Sequence, residues 1–106
     1  MDGRPSSQEA LIQQRDVKIR EHLAQYAPVW IVDETYLPEE DAQQFHVIFH
    51  HFSYGWVRRR YLYDGFNDTL YHKGQTLLAE EQALAFQTAE PFQGLADADV
   101  PNAYGG

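Results

Sequence analysis

The sequence contains no cysteine, which excludes a disulfide framework, a thiolate metal site and a thiol nucleophile. Basic residues are scarce, because 8 Lys and Arg stand against 16 Asp and Glu and give a net charge of −8. That balance argues against a protein whose main task is to wrap nucleic acid, since such domains carry excess basic charge. No apolar run approaches the roughly 18–20 residues of a membrane span, and the first residues hold no apolar signal-peptide core. We therefore expect a soluble, cytoplasmic protein with no membrane partner.

Motifs of the common enzyme classes are missing as well. The sequence has no nucleophile elbow of the form G-x-S-x-G, no Walker loop and no dinucleotide fingerprint G-x-G-x-x-G. Asp33 and Glu34 are adjacent, and neighbouring residues of a strand point to opposite faces, so this carboxylate pair is a poor acid–base catalyst. We expect a non-catalytic protein that needs no cofactor.

The chain does contain enough apolar and aromatic residues for one small core. Its 106 residues are 43% hydrophobic and 14% aromatic, and this length fits a single domain of about 100–150 residues. The periodic segments end near residue 87, and the remainder is rich in Pro, Gly and small acidic side chains. We expect one α+β domain over residues 1–87 and an extended or flexible acidic tail over residues 88–106.

Six segments carry the patterns of regular secondary structure. Good helix formers with apolar residues three and four apart predict surface helices, and short β-branched or aromatic runs predict strands. The predicted elements are a helix over Ser7–Tyr26, strands over Val29–Tyr36, Phe45–Phe52, Trp56–Tyr63 and Asp68–Lys73, and a short helix over Ala79–Gln87. Gly74 is expected to end the fourth strand. Short connections favour antiparallel neighbours, which predicts a four-stranded meander with both helices on one face.

The hairpin between the second and third strands assigns side chains to the two faces of the sheet. A turn at Ser53–Gly55 gives the expected cross-strand pairs Phe52 with Trp56, His50 with Arg58, and His46 with Leu62. The first face is the more apolar one and is expected to meet the helices. Its members are Phe45, Val47, Phe49, His51, Val57, Arg59, Tyr61, Tyr63, Leu70 and His72.

The second face mixes basic and aromatic side chains, and it is the candidate binding surface. The binding residues expected there are His46, His50, Phe52, Trp56, Arg58, Arg60, Tyr71 and Lys73. Aromatic residues and arginine are enriched in the hot spots of protein interfaces. The sequence therefore predicts a protein–protein interaction module, with a second copy of the chain, in a homodimer, among its candidate partners.

Three further hypotheses stay open. Basic groups beside aromatic rings also suit an anionic small ligand or single-stranded nucleic acid. Alternatively, the guanidinium groups only cover aromatic rings and pair with the many carboxylates of the chain. The third hypothesis is an acidic inhibitor that mimics nucleic acid, and its carboxylates would be those of Glu39, Glu40, Asp41, Glu80 and Glu81.

Three histidines invite a metal hypothesis, which the strand geometry disfavours. His46 and His50 lie four residues apart, or four times ~3.3 Å along a strand, which is too far for one ion. His51 points to the other face. A site would need additional ligands, for which the candidates are Asp33, Glu34 and His72. We expect no metal.

The three consecutive arginines divide between the two faces. On a strand, Arg58 and Arg60 point to the second face while Arg59 points to the core. A buried guanidinium needs a carboxylate partner, and Asp68 and Asp33 are the candidates. In a dimer, Arg59 would instead lie at the rim of the interface.

Overall fold

A computed structural model describes residues 7–94 of the chain. The elements are α1 (Ser7–Leu23), a 3₁₀ turn (Ala24–Tyr26), β1 (Trp30–Leu37), a second 3₁₀ turn (Pro38–Glu40), β2 (Ala42–His51), β3 (Gly55–Asp64), β4 (Thr69–Leu77) and α2 (Glu80–Gln87). The strands form one antiparallel sheet in the order β1-β2-β3-β4, which confirms the predicted α+β meander. None of the helices in this part of the chain is long and apolar enough to cross a membrane.

Two strands are longer than the sequence indicated. β2 begins at Ala42 instead of Phe45, and β4 runs to Leu77 instead of ending before Gly74. The ladder between β3 and β4 shifts by one residue where Arg60 pairs with Gly74 and Tyr61 pairs with His72. Such a bulge absorbs one extra residue and lets the strand continue, and glycine tolerates the φ of +148° found at position 74.

The hairpin register differs from the predicted one by two residues. His50, and not Phe52, lies opposite Trp56, and His46 lies opposite Arg60. The turn comprises residues 52–54, while Gly55 begins β3 with a φ of +78°. A shift of two residues keeps every side chain on its face, because the side-chain period of a strand is two. The predicted assignment of residues to the two faces of β2 and β3 therefore holds.

The first face of the sheet forms the main core with α1. Leu11, Ile19 and Leu23 lie four or eight residues apart along the helix and are buried against the side chains of Phe45, Val47, Phe49, Val57, Tyr61 and Tyr63. Arg15 lies on the same stripe of α1 and is only 3% exposed. The buried stripe therefore contains a charged residue where an ordinary amphipathic helix has an apolar one.

The second helix packs on the opposite side of the sheet, so the prediction of both helices on one face is wrong. The ring of Phe86 in α2 lies 5.9 Å from the guanidinium carbon of Arg58, a second-face residue. Trp30, also on the second face because it pairs with Ile48, donates its indole N–H to the carbonyl of Ala89 at 2.9 Å. Ile48 lies on the same face, away from α1, and is fully buried. The cover that α2 and the following segment provide on this face accounts for its burial.

The segment after α2 turns around the start of β1. Ala89 contacts Trp30 on the second face, whereas Phe92 packs against the first-face core. The N–H of Phe92 donates to the carbonyl of Val29 at 2.7 Å. Residues 88–94 of the predicted tail therefore pack around the start of β1. The rest of that tail, residues 95–106, lies outside the described residues.

Candidate functional site: a basic depression on the second face

The uncovered part of the second face contains a shallow depression lined by basic side chains. It spans three strands and measures about 320 Å³, and we call it the basic depression. Its lining consists of His46 from β2, Arg58 and Arg60 from β3, and Gly74, Gln75 and Thr76 from β4. The cross-strand pairs His46 with Arg60 and Arg60 with Gly74 bring these residues into one row.

The side chain of Arg60 lies over Gly74. A Cβ atom at position 74 would lie 3.5 Å from Nη2 of Arg60, an ordinary van der Waals contact, whereas the φ of +148° at this position favours glycine. The same Nη2 donates to the carbonyl of Lys73, the extra residue of the bulge, at 2.9 Å. The guanidinium of Arg60 is therefore held over the backbone of β4 and stays exposed to solvent.

Arg58 lies beside it and has two side-chain partners. Its Nε donates to Nδ1 of His46 at 2.7 Å, and its Nη2 makes a close ion pair with the carboxylate of Asp33. A bulge in β1 between Val32 and Thr35 places Asp33 in the left-handed region, with a φ of +55°. Asp33 is thus directed to the second face, whereas Glu34 reaches Arg15.

Of the two guanidinium groups in the basic depression, Arg58 has a carboxylate partner and Arg60 has none among the described residues. Among residues 7–94, no carboxylate lies within ion-pair distance of Arg60, and Asp33 contacts Arg58 and His46. Guanidinium carries five N–H groups, and most of those of Arg60 have no acceptor among residues 7–94 and are exposed to solvent. The site is therefore cationic on a chain of net charge −8.

His46 serves this site as a neutral hydrogen-bond acceptor. Its pKa is lowered below the usual 6.5 by burial and by the positive charge of Arg58, with a smaller lowering from Arg60, while Asp33 opposes the shift. At neutral pH its Nδ1 therefore has a lone pair for the N–H of Arg58.

We expect the protein to lose stability as the pH falls below the ordinary histidine value. The pKa values of His46 and His72 are both lowered in the fold, mainly by burial and next by a nearby arginine. Below about pH 6.5 the unfolded chain then binds protons that the folded chain does not bind, and the free energy of unfolding falls. Urea denaturation at about pH 7.5 and about pH 5.5 measures this loss. The His46→Gln variant is expected to lose less stability between these two pH values than the wild type does. An equal loss of unfolding free energy in both proteins would contradict this role of His46.

The eight binding residues expected from the sequence do not form one continuous surface. His46, Arg58 and Arg60 line the basic depression, and the carbonyl of Lys73 lies beside it. Tyr71 pairs with Leu62 farther along the face and is 42% exposed.

The other three expected residues belong to a separate hollow. His50, Phe52 and Trp56 line it, and we call it the aromatic hollow. Its remaining walls come from Gln25, Tyr26, Ala27, Pro28, Trp30 and Gln87. Phe86 lies against Arg58, on the face between the two sites.

The central arginine of the three has partners that the sequence did not indicate. Arg59 does point to the first face, but it contacts neither Asp68 nor Asp33. Its guanidinium donates to the side-chain oxygen of Gln75 at 2.8 Å and lies 5.1 Å from the ring centroid of Phe49. The aromatic ring and the amide therefore replace the carboxylate as its partners. Asp68 accepts instead from the hydroxyl of Tyr63.

His50 and His51 lie on opposite faces of β2 and have different partners. His51 stacks on Tyr26 at 5.1 Å, and its Nδ1 accepts the N–H of Ser53 at 3.0 Å, so it closes the hairpin turn. His50 packs edge-on against Trp56 at 5.4 Å. Within residues 7–94, no group of three His, Asp or Glu side chains could hold a metal ion.

Three lining residues of the basic depression are absent from the sequence-based set. Gly74, Gln75 and Thr76 were missed because the fourth strand was expected to end at Lys73. An arginine on a strand next to a glycine on its neighbour was the available signal, since glycine in a strand often marks a bulge or a close approach.

Comparisons with known protein families, with curated proteins and with solved structures found no match to this chain.

Proposed function

We propose that this protein is a non-catalytic interaction module that binds an acidic segment of a partner protein in the basic depression. The observation that carries the proposal is the exposed guanidinium of Arg60, which only the carbonyl of Lys73 holds in place among the described residues. Arg58 beside it is fixed by His46 and Asp33. Preorganised guanidinium groups bind carboxylates strongly because their fork of donors matches the two carboxylate oxygens.

A protein segment fits this site better than single-stranded nucleic acid does. Binding to single strands needs aromatic platforms beside the cations and many phosphate contacts. Here Trp56 lies in the aromatic hollow, and the Phe86 ring lies against Arg58. The basic depression offers two arginines on a strongly acidic chain. Half-buried Leu62 and exposed Tyr71 supply apolar contact area along the same face.

The acidic side chains are poorly placed for a mimic of nucleic acid. Glu39 and Glu40 lie in the turn before β2, at the end of the sheet where Leu37 pairs with Ala42. Glu80 and Glu81 begin α2, just after the opposite end, where Leu77 pairs with Val57. These carboxylates do not form one surface, which favours the basic depression as the functional feature.

The test compares two arginine variants of equal net charge. A fluorescently labelled acidic peptide is titrated with the wild type, with Arg60→Gln and with Arg20→Gln, whose arginine lies on α1. Loss of one charge-assisted hydrogen bond, worth roughly 1.4 kcal/mol or more, is expected to weaken binding by the Arg60→Gln variant about tenfold. The Arg20→Gln variant is expected to bind like the wild type. Equal losses in both variants, or no binding by the wild type, would contradict the proposal.

The mass of the protein in solution provides a second check. Light scattering at low and at high salt is expected to give a monomer, with the basic depression free. A stable dimer whose interface contains Arg58 and Arg60 would mean that the surface binds its own copy, and would overturn the proposed acidic partner. A cytoplasmic location, expected from the sequence, stays a prediction.

A further inference from the structure

Both edges of the sheet have backbone groups without backbone partners among the described residues. At the start of the β1 edge, Phe92 donates its N–H to the carbonyl of Val29. At the β4 edge, no backbone of the described residues pairs with the outer side of the strand. Tyr71 and Leu77 on β4 are 42% and 62% exposed. An open edge of this length is a template on which another strand can pair.

One hydrogen bond shows which backbone N–H and C=O groups of β4 point to the open edge. The N–H of Leu78 donates to the carbonyl of Trp56 at 2.9 Å, so these two residues form a hydrogen-bonded pair. In an antiparallel ladder such pairs alternate with pairs whose N–H and C=O groups point away. Thr76, which pairs with Arg58, therefore bonds inward, while the backbones of Gln75 and Leu77 point to the open edge.

We propose that the acidic partner segment binds as an extended strand added to the free edge of β4. This inference rests on the proposed function and specifies the conformation of the partner. The added strand would hydrogen-bond to Gln75 and Leu77, and it would place every second side chain on the second face, beside the basic depression.

The position of Arg60 decides in favour of this arrangement. A strand added to β4 lies two strands away from β3, or about 9.6 Å, because neighbouring strands are ~4.8 Å apart. Gly74 stands between them and has no side chain, so the guanidinium of Arg60 already extends over it toward the edge. A carboxylate on the second-face side of the added strand is therefore within reach of Arg60.

Charge selects an acidic strand over a second copy of this chain. Arg58, Arg60 and Lys73 all lie on β3 or β4, near the free edge. Antiparallel pairing of β4 with β4 of a second copy would bring two such clusters together, and like charges across an interface oppose association. An acidic strand instead meets opposite charge. Its carboxylates should recur at every second residue, because only alternate side chains face the basic depression.

The experiment uses an acidic peptide of about eight residues, an ordinary strand length, in which glutamate alternates with threonine. Two derivatives carry backbone N-methyl groups, one on every glutamate and the other on every threonine. Strand addition needs the N–H groups of only one set, so one derivative is expected to bind at least tenfold more weakly than the other. Amide exchange of Gln75 and Leu77 is expected to slow at least tenfold in the complex with the unmodified peptide, while Thr76 changes less.

The outcomes separate the two proposals. Arg60-dependent binding with equal affinity for the two methylated peptides, and with unchanged exchange at Gln75 and Leu77, would overturn strand addition and leave the acidic binding site standing. Absence of Arg60-dependent binding would overturn the proposed function itself. Protection of Gln75 and Leu77 without peptide, rising with protein concentration, would show that a second copy occupies the edge and would overturn the acidic strand.

Discussion

Substitution of Arg15→Ala is expected to lower the free energy of unfolding by about 2–4 kcal/mol. Arg15 is 3% exposed and joins α1 to the sheet. It donates to Glu34 at 2.6 Å and to the amide oxygen of Gln43, and its guanidinium carbon lies 5.1 Å from the ring centroid of Phe45. Removing it leaves the buried Gln43 side chain without this donor, which is the costly part of the change.

The exposure of the partners limits the size of this effect. The side chain of Glu34 is 45% exposed, so water can solvate its carboxylate after Arg15 is removed. The loss is therefore smaller than for a fully buried ion pair, although the packing of the arginine stem on Phe45 is lost as well.

Urea denaturation of the Arg15→Ala variant, compared with that of Arg20→Ala, measures the contribution of Arg15 to the free energy of unfolding. Arg20 lies on the same helix with no side-chain partner among the described residues, so its variant is expected to change stability by less than about 0.5 kcal/mol. Similar values for the two variants would mean that Arg15 does not stabilise the contact between α1 and the sheet.

Substitution of Trp30→Ala is expected to have the largest effect, a loss of about 3–5 kcal/mol. The indole is 7% exposed, lies 6.1 Å from the ring of Trp56, and donates to the carbonyl of Ala89 at 2.9 Å. It connects β1 with the segment after α2, so its removal leaves a cavity on the second face and frees that segment.

The variant Trp30→Phe separates the ring from its N–H group. It keeps most of the aromatic packing and loses the hydrogen bond to Ala89, so we expect a loss of about 1–2 kcal/mol. Amide exchange at Phe92, whose N–H bonds to Val29, should accelerate in both variants. Unchanged exchange at Phe92 would contradict the role of Trp30 in holding the C-terminal segment against the sheet.

The sequence was sufficient to predict the strand order and the two faces, because alternation in β2 and β3 is strong. The register was wrong by two residues, since the turn is closed by His51 and its position did not follow from Gly55 alone. That error did not matter for the faces, because only an odd shift exchanges them.

Two features of the candidate site could not be predicted because they depend on tertiary contacts. The bulge at Lys73 continues β4 past a glycine that locally resembles a strand end. Phe86 covers Arg58 because α2 packs on the second face, and an eight-residue helix whose four apolar residues are consecutive does not indicate which face of the sheet it covers. Arg15 was missed for a similar reason, since a charged residue within an apolar stripe is normally assigned to the surface.

The affinity of the labelled acidic peptide for Arg60→Gln relative to Arg20→Gln tests the central claim most directly, because both variants change the net charge equally. Binding in the basic depression predicts about a tenfold weaker complex for Arg60→Gln and no change for Arg20→Gln. Equal affinities for the two variants would contradict the claim, because the peptide would then respond to the total charge of the protein and not to the guanidinium held over Gly74.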